Sequence, residues 1–180
     1  IHPDYIFILI GTNDVQRIYW GTTVGSVVDK INHLPEKPSL EALERNLTGI
    51  LNGIREASPL VQVAISTLPP LGEDLKSKSN DLVRQANEVI DRVVKTAGER
   101  VTLIPLFAEF ETVLEKQRRG WKLPYNYYFL ALVIVNPIFH LTTITSWNWL
   151  SKLFGYHLLN DGLHLNERGR DILVDLIVDW

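Results

Sequence analysis

Residues 5–10 constrain the fold more than any other segment of this sequence. They read Tyr-Ile-Phe-Ile-Leu-Ile and are followed directly by Gly11. A continuous apolar run that is rich in β-branched residues predicts a strand covered on both faces, as the strands of parallel sheets are. The segment therefore favours an α/β protein.

The rest of the chain alternates between helical and extended patterns. Apolar residues recur with the 3.6-residue period of an amphipathic helix in some segments and form short continuous runs in others. The predicted elements are helices at 40–57 and 80–97, strands at 61–66 and 101–104, an irregular segment, and a last helix after Asn166. This order predicts a layered α/β fold with a parallel sheet. A chain of 180 residues is long enough for one such domain.

Composition excludes several functional classes. The net charge of −3 gives no electrostatic reason to expect a nucleic acid partner. The absence of cysteine rules out disulfides and thiolate metal sites. Four scattered histidines lack the spacing of metal ligands; they are His2, His33, His140 and His157. We therefore expect neither a metal site nor nucleic acid binding.

Residues 123–151 depart from the pattern of the rest of the chain. They contain no Asp, Glu, Lys or Arg, and Asn136-Pro137 near their centre indicates a turn. We interpret them as an apolar insertion that forms either a lid or a membrane-interface element. Internal packing or a subunit contact is the alternative. A single membrane crossing is disfavoured, because it would separate the two polar motifs described next.

Two polar motifs lie at positions where α/β folds often carry functional residues. Gly11-Thr12-Asn13-Asp14 follows the first predicted strand, at the edge where open α/β sheets bind ligands. Asp161-Gly162-Leu163-His164-Leu165-Asn166 precedes the last helix. The imidazole of His164 titrates near neutral pH and is suited to act as a base, and Asp161 can orient it. Taken singly, each motif is also compatible with a plain turn or a helix cap.

The pair of motifs, in this order, resembles the SGNH hydrolases, which are also called GDSL-type esterases and lipases. Ile-Gly-Thr-Asn-Asp at 10–14 is similar to that family's third sequence block, and Asp-Gly-Leu-His-Leu-Asn at 161–166 to its fifth. The resemblance extends over nearly the whole chain apart from about 107–156. It implies a three-layer α/β/α fold with a flavodoxin-like parallel sheet, here without its first strand. Residues 1–180 would then be one partial domain of this type.

The resemblance also implies a role for each matching residue. His164 would be the general base and Asp161 the acid that orients it. Asn13 would donate its side-chain amide to the oxyanion, Gly11 would permit the tight turn that aims Asn13, and Asp14 would brace that turn. No cofactor is implied.

The family's nucleophile block, a Gly-Asp-Ser turn, does not occur in this sequence. We expect the nucleophile, and the glycine that completes the oxyanion hole, to lie upstream of Ile1. Five serines within the chain are the alternatives, and none lies in a Gly-Asp-Ser context; they are Ser26, Ser58, Ser66, Ser146 and Ser151. Without the family's first strand, the strand at 5–10 would present a bare edge that can pair with another chain.

The resemblance implies a serine hydrolase that cleaves carboxylic esters through an acyl-enzyme. The apolar segment 123–151 favours acyl lipids or other hydrophobic esters as substrates, and contact with a membrane surface. O-acetyl groups on carbohydrate are the alternative substrate. A binding module without catalytic activity is the alternative of a different class, because the nucleophile is absent from these residues.

Overall fold

The computed structural model describes residues 3–21, 36–117, 122, 124–127 and 147–180. The chain divides into two compact units. The first comprises Ile1–Leu68 and Leu82–Pro105, and the second comprises Pro69–Asp81 and Leu106–Trp180.

The described residues of the first unit include a parallel three-stranded sheet. Its strands are β1 (Tyr5–Ile8), β2 (Gln62–Ser66) and β3 (Val101–Ile104), in the order β1-β2-β3. Ile6 pairs with Val63, and Ile65 pairs with Leu103. The parallel α/β sheet that the sequence predicts is therefore present, with β2 at its centre.

Three helices follow or connect these strands. Residues 12–21 are helical and are called α1 here. The connections between strands are α2 (Leu40–Ala57) and α3 (Lys78–Ala97). The hydroxyl oxygen of Ser39 accepts a hydrogen bond from the Ala42 N–H at 3.1 Å and caps α2. The helical period of the apolar residues in 40–57 predicts that Ile50 faces the core, but Ile50 is 40% exposed.

The strand β1 is less covered than its sequence predicted. Only Ile8 in this strand is buried, and Tyr5 is 68% exposed. The reason is its position: within the described residues β1 pairs with β2 alone and forms the edge of the sheet. An apolar run shows that a strand is suited to burial. The elements that pack against the strand decide how much of it is buried.

The described residues of the second unit are mainly helical. Its helices are α4 (Leu106–Glu115), a 3₁₀ turn (Tyr125–Tyr127), α5 (Trp147–Leu153) and α6 (Glu167–Val178). The segment between β3 and α6, which the sequence predicted to be irregular, therefore contains two α-helices among its described residues. Helix α4 packs against α6. Gly169 permits this contact, because a Cβ atom there would collide with the Leu158 carbonyl oxygen and approach Phe110.

Most of the apolar segment 123–151 lies outside the described residues, including 128–146. Its role as a lid or membrane-interface element stays a prediction. Within the part of the chain that the structure describes, no helix combines the length and the apolar character that a membrane span requires.

Candidate active site

The motif Asp161–Asn166 forms a tight turn in the second unit. Leu159 and Leu165 form an antiparallel bridge across its base, and the Asn160 N–H donates to the His164 carbonyl at 2.7 Å. Gly162 lies at the tip with a φ of +92°, a left-handed conformation that favours glycine. A Cβ atom at Gly162 would lie 2.8 Å from the Tyr156 hydroxyl. This turn therefore requires glycine both for its backbone angle and for space.

Asp161 holds the turn and the histidine with different oxygens. Its Oδ1 accepts hydrogen bonds from the N–H of Leu163 at 3.0 Å and of His164 at 2.9 Å. Its Oδ2 lies 2.8 Å from the Nδ1 of the His164 ring. The same carboxylate therefore fixes the backbone of the turn and the orientation of the imidazole.

Burial and charge place the two members of this pair in different environments. The side chain of Asp161 is 2% exposed, whereas that of His164 is 65% exposed. Burial raises the pKa of Asp161, but the hydrogen bonds from the ring and N–H of His164 and the N–H of Leu163 outweigh it, and the net pKa is lowered. The hydrogen bond to Asp161 raises the pKa of His164, and burial only partly opposes this. With Nδ1 bonded to Asp161, Nε2 is the nitrogen that can accept a proton.

Asn166 connects this turn to α6. Its Oδ1 accepts from the Gly169 N–H at 3.0 Å and caps the helix, as the sequence predicts for an Asn at this position. Its Nδ2 donates to the Ser151 hydroxyl at 2.9 Å. The Ser151 hydroxyl in turn lies 2.7 Å from the Leu159 carbonyl. The start of α6 is thereby fixed to both sides of the turn.

The serines within the chain have other surroundings. Ser151 is buried in the network just described, and the hydroxyl of Ser66, also buried, donates to the Thr67 carbonyl at 2.9 Å. Ser58 is the C-cap of α2. Ser26 and Ser146 lie outside the described residues. The nucleophile stays assigned by prediction to a segment upstream of Ile1.

The motif Gly11–Asp14 belongs to the first unit, where it begins α1. Gly11 has a φ of +110°, and its carbonyl accepts from the Val15 N–H at 3.0 Å, which closes the first helical turn. A Cβ atom at Gly11 would lie 3.1 Å from the Leu43 side chain. Asn13 is exposed in that first turn, and Asp14 is half-buried. The roles predicted for Asn13 and Asp14 stay predictions.

Glu73 is a buried charged residue that sequence reasoning did not find. Its side chain is fully buried, and its carboxylate accepts hydrogen bonds from the N–H groups of His157, Leu158 and Leu159. Lys122 forms an ion pair with it at 3.1 Å. Its local signal is an acidic residue that directly follows Leu-Pro-Pro-Leu-Gly at 68–72, a context that does not reveal its partners.

No group of three or more His, Asp or Glu side chains suited to bind a metal ion occurs in the described parts of the chain. At the turn, Asp161 and His164 form a carboxylate-oriented imidazole. Such a pair can remove a proton from a nucleophile and later return it to a leaving group.

Solved structures with the same fold include several esterases. The acetylxylan esterase Axe2 from Geobacillus stearothermophilus matches with a TM-score of 0.60 and 16% identity, over 98% of this chain and 58% of that one. The enzyme LAE5, described as an alpha/beta hydrolase from the metagenome of Lake Arreo in Spain, matches with a TM-score of 0.59 and 16% identity, over 98% of this chain and 59% of that one. The acetyl xylan esterase AlAXEase matches with a TM-score of 0.59 and 15% identity, over 98% of this chain and 66% of that one.

These likenesses establish the fold, and the chain spans less than two thirds of the length of each of these three proteins. No curated protein matches the sequence at a significant level. The model of the GDSL-like Lipase/Acylhydrolase family matches residues 1–172, which include both polar motifs. The chain therefore belongs to the GDSL-like lipase/acylhydrolase family.

Proposed function

We propose that the protein to which this chain belongs is a serine hydrolase that cleaves carboxylic esters through an acyl-enzyme. The observation that carries the proposal is the pairing of a buried Asp161 with an exposed His164 on a rigid turn. A binding module has no evident need for a buried carboxylate that orients an exposed imidazole. Membership of an acylhydrolase family supports the same reaction class.

In the proposed mechanism, Nε2 of His164 takes the proton of a serine hydroxyl as the serine oxygen attacks the ester carbonyl. Asp161 stabilises the imidazolium that forms. Asn13 donates its amide N–H to the developing oxyanion. His164 then returns the proton to the departing alcohol. Water, activated by the same histidine, cleaves the acyl-enzyme and releases the acid. The serine is contributed by residues upstream of Ile1.

Two classes of ester fit the protein, and each has its own support. The uncharged, apolar composition of 123–151 favours acyl lipids or other hydrophobic esters. The names of two structural neighbours, both acetylxylan esterases, favour O-acetyl groups on carbohydrate. We place hydrophobic esters first because their support lies in this chain's own residues.

Hydrolysis assays with the full-length gene product test the reaction class. p-Nitrophenyl acetate, butyrate, octanoate and laurate are compared with an acetylated xylo-oligosaccharide. Substitution of His164→Ala should lower kcat/KM by about 10³-fold or more, because the general base is lost. Arg168→Ala, which removes an exposed side chain in the first turn of α6, should leave kcat/KM within about twofold.

Each outcome of this comparison is informative. Hydrolysis that depends on His164 supports the reaction class, and full activity of folded His164→Ala protein contradicts it. A preference for octanoate or laurate supports hydrophobic esters. A preference for acetate that is unchanged after deletion of 123–151 moves the assignment to O-acetyl esters.

A further inference from the structure

Glu73 lies outside the motifs that predict catalysis, yet its bonds lead directly to the Asp161–His164 turn. Its Oε1 accepts from the N–H of Leu158 at 2.6 Å and of Leu159 at 3.0 Å. The N–H of His157 lies 2.8 Å from Oε1 and 2.9 Å from Oε2. One buried carboxylate therefore holds three consecutive backbone amides in the segment that enters the turn.

The segment held by Glu73 is also the base of the turn. Leu158 accepts a backbone hydrogen bond from Asn166 at 2.9 Å, and Leu159 bridges to Leu165. The Asn160 N–H then donates to the carbonyl of His164. Displacement of residues 157–159 would consequently displace the backbone on both sides of the histidine.

The residue next to Glu73 contacts the tip of the same turn. The Gly72 N–H donates to the Gly162 carbonyl at 2.7 Å. The loop that carries Gly72 and Glu73 is itself fixed, because the side-chain amide of the fully buried Asn80 donates to the carbonyls of Leu71, Gly72 and Asp74. The turn is thus held at its base by Glu73 and at its tip by Gly72.

We propose that Glu73 is a positioning residue for catalysis, which holds residues 157–159 so that His164 keeps its productive orientation against Asp161. It acts through the backbone and contacts neither the substrate nor the imidazole. The inference rests on the proposed role of His164 as the general base. Small errors in the placement of a catalytic group cost rate, and about 1 Å of misplacement lowers the rate by about 100-fold.

Two substitutions separate the geometry of Glu73 from its charge. Glu73→Asp keeps the negative charge but shortens the reach to the three amides. Glu73→Gln keeps the length but replaces one acceptor oxygen with an NH₂ group. Glu115→Gln removes the charge of an exposed residue in the same unit and serves as the matched control.

The principal readout is the pKa of His164, followed by NMR of its ring protons in the folded full-length protein. If Glu73 holds the pair together, Glu73→Asp weakens the Asp161–His164 hydrogen bond and lowers the pKa of His164 towards its ordinary value. Glu73→Gln, whose Oε1 can still accept from the three amides, lowers it less. In Glu73→Asp kcat falls by about 10-fold to 100-fold, while KM changes by less than about threefold. Glu115→Gln leaves all three quantities unchanged.

A merely structural role would lower the melting temperature without moving the pKa of His164 in the folded fraction. That result, in both Glu73 variants, would overturn the proposal. A shift in Glu73→Gln alone would also overturn it, since it would show an effect of charge rather than of position. Because the NMR titration does not require turnover, it separates failure of this proposal from absence of ester hydrolysis.

Hydrogen exchange of the unmodified protein keeps the proposal testable if the variants do not fold. If the Glu73 contacts hold the turn, their opening releases the turn as well. The amides of Leu163 and His164 should then exchange at least as fast as those of residues 157–159. The proposal would be overturned if the turn amides stayed protected from exchange about tenfold longer than the amides that bond to Glu73.

Discussion

Asp161 combines two tasks that are separate in many sites. One carboxylate oxygen closes the backbone of the turn and the other orients the His164 ring. A buried carboxylate is stabilised in its charged form only when it accepts enough hydrogen bonds, and the turn itself supplies two of them. The same three-residue spacing therefore builds the turn and orients the imidazole that we propose as the base.

Substitution of Asp161→Asn should reduce kcat/KM by about 10³-fold to 10⁴-fold, the scale seen when the acid of a serine-hydrolase triad becomes an amide. The Oδ1 of the new side chain can still accept from Leu163 and His164, so the turn is kept. The measurement is kcat/KM for the ester that the wild-type full-length protein hydrolyses best.

The pH profile of kcat/KM should shift in a definite direction in Asp161→Asn. The hydrogen bond to Asp161 raises the pKa of His164, so the wild-type base becomes neutral only at a pH above the ordinary range. Without the carboxylate, the acid limb of kcat/KM should move to lower pH. Asp171→Asn, at an exposed position on α6, is the matched control and should leave the profile in place. An acid limb that stays fixed in Asp161→Asn would contradict the assigned pairing.

Gly162→Ala should destabilise the protein by about 1–3 kcal/mol, because the new side chain meets a positive φ. The Cβ would also approach the Tyr156 hydroxyl to 2.8 Å. Gly53→Ala is the matched control: its position is inside α2 and open, so it should stabilise by about 0.5–1 kcal/mol. Urea unfolding of the full-length variants measures both. Equal free energies of unfolding for the two variants would contradict this account of the turn.

At the scale of elements, the two observed helix caps differ in the hydrogen bonds that their side chains make. Ser39 bonds only to the start of α2 in the contacts described, whereas Asn166 also donates to the buried Ser151 hydroxyl. Ser39→Ala should cost about 1 kcal/mol of unfolding free energy. Asn166→Ala should cost about 2–3 kcal/mol, because a buried hydroxyl loses a partner as well. Equal losses in urea unfolding would show that Asn166 acts as a cap and nothing more.

The sequence predicted those elements whose residues carry a periodic pattern. Helix α2 and strand β3 have the predicted bounds, and α3 begins two residues earlier than predicted. The helix at 12–21 was missed because its start reads as a turn motif. Helix α4 was missed although Leu106, Phe107, Phe110 and Leu114 recur at helical spacing and are buried.

The sequence predicted the part of the candidate site that depends on local contacts. Asp161 and His164 lie three residues apart, so their contact is local and can be read from spacing. The contact of Glu73 with residues 157–159 spans more than 80 residues of chain. Such a contact depends on tertiary structure, and no periodicity or local motif encodes it.

At the scale of the whole molecule, the edge position of β1 among the strands that the structure describes has a consequence for solubility. An apolar strand at the edge of a sheet is a template for pairing with another chain. The 180-residue chain, expressed by itself, should therefore self-associate, whereas the full-length gene product should not. Sedimentation velocity across a range of concentrations measures the difference.

Substitution of Tyr5→Lys tests whether association occurs through this edge. The side chain of Tyr5 is largely exposed, and a lysine on an edge strand opposes pairing. Tyr127→Lys, at an exposed aromatic position in the second unit, is the control. A monomeric, cooperatively melting 180-residue chain would contradict the proposed pairing, and so would equal effects of the two lysines.

The central claim is that His164 and Asp161 activate a serine that these residues do not contain. A fluorophosphonate probe reacts covalently with activated serines, and peptide mass mapping of the full-length gene product identifies the labelled residue. We predict labelling of a serine upstream of Ile1 that is lost in His164→Ala. Labelling of a serine within residues 1–180, or no labelling of the folded protein, would contradict the account.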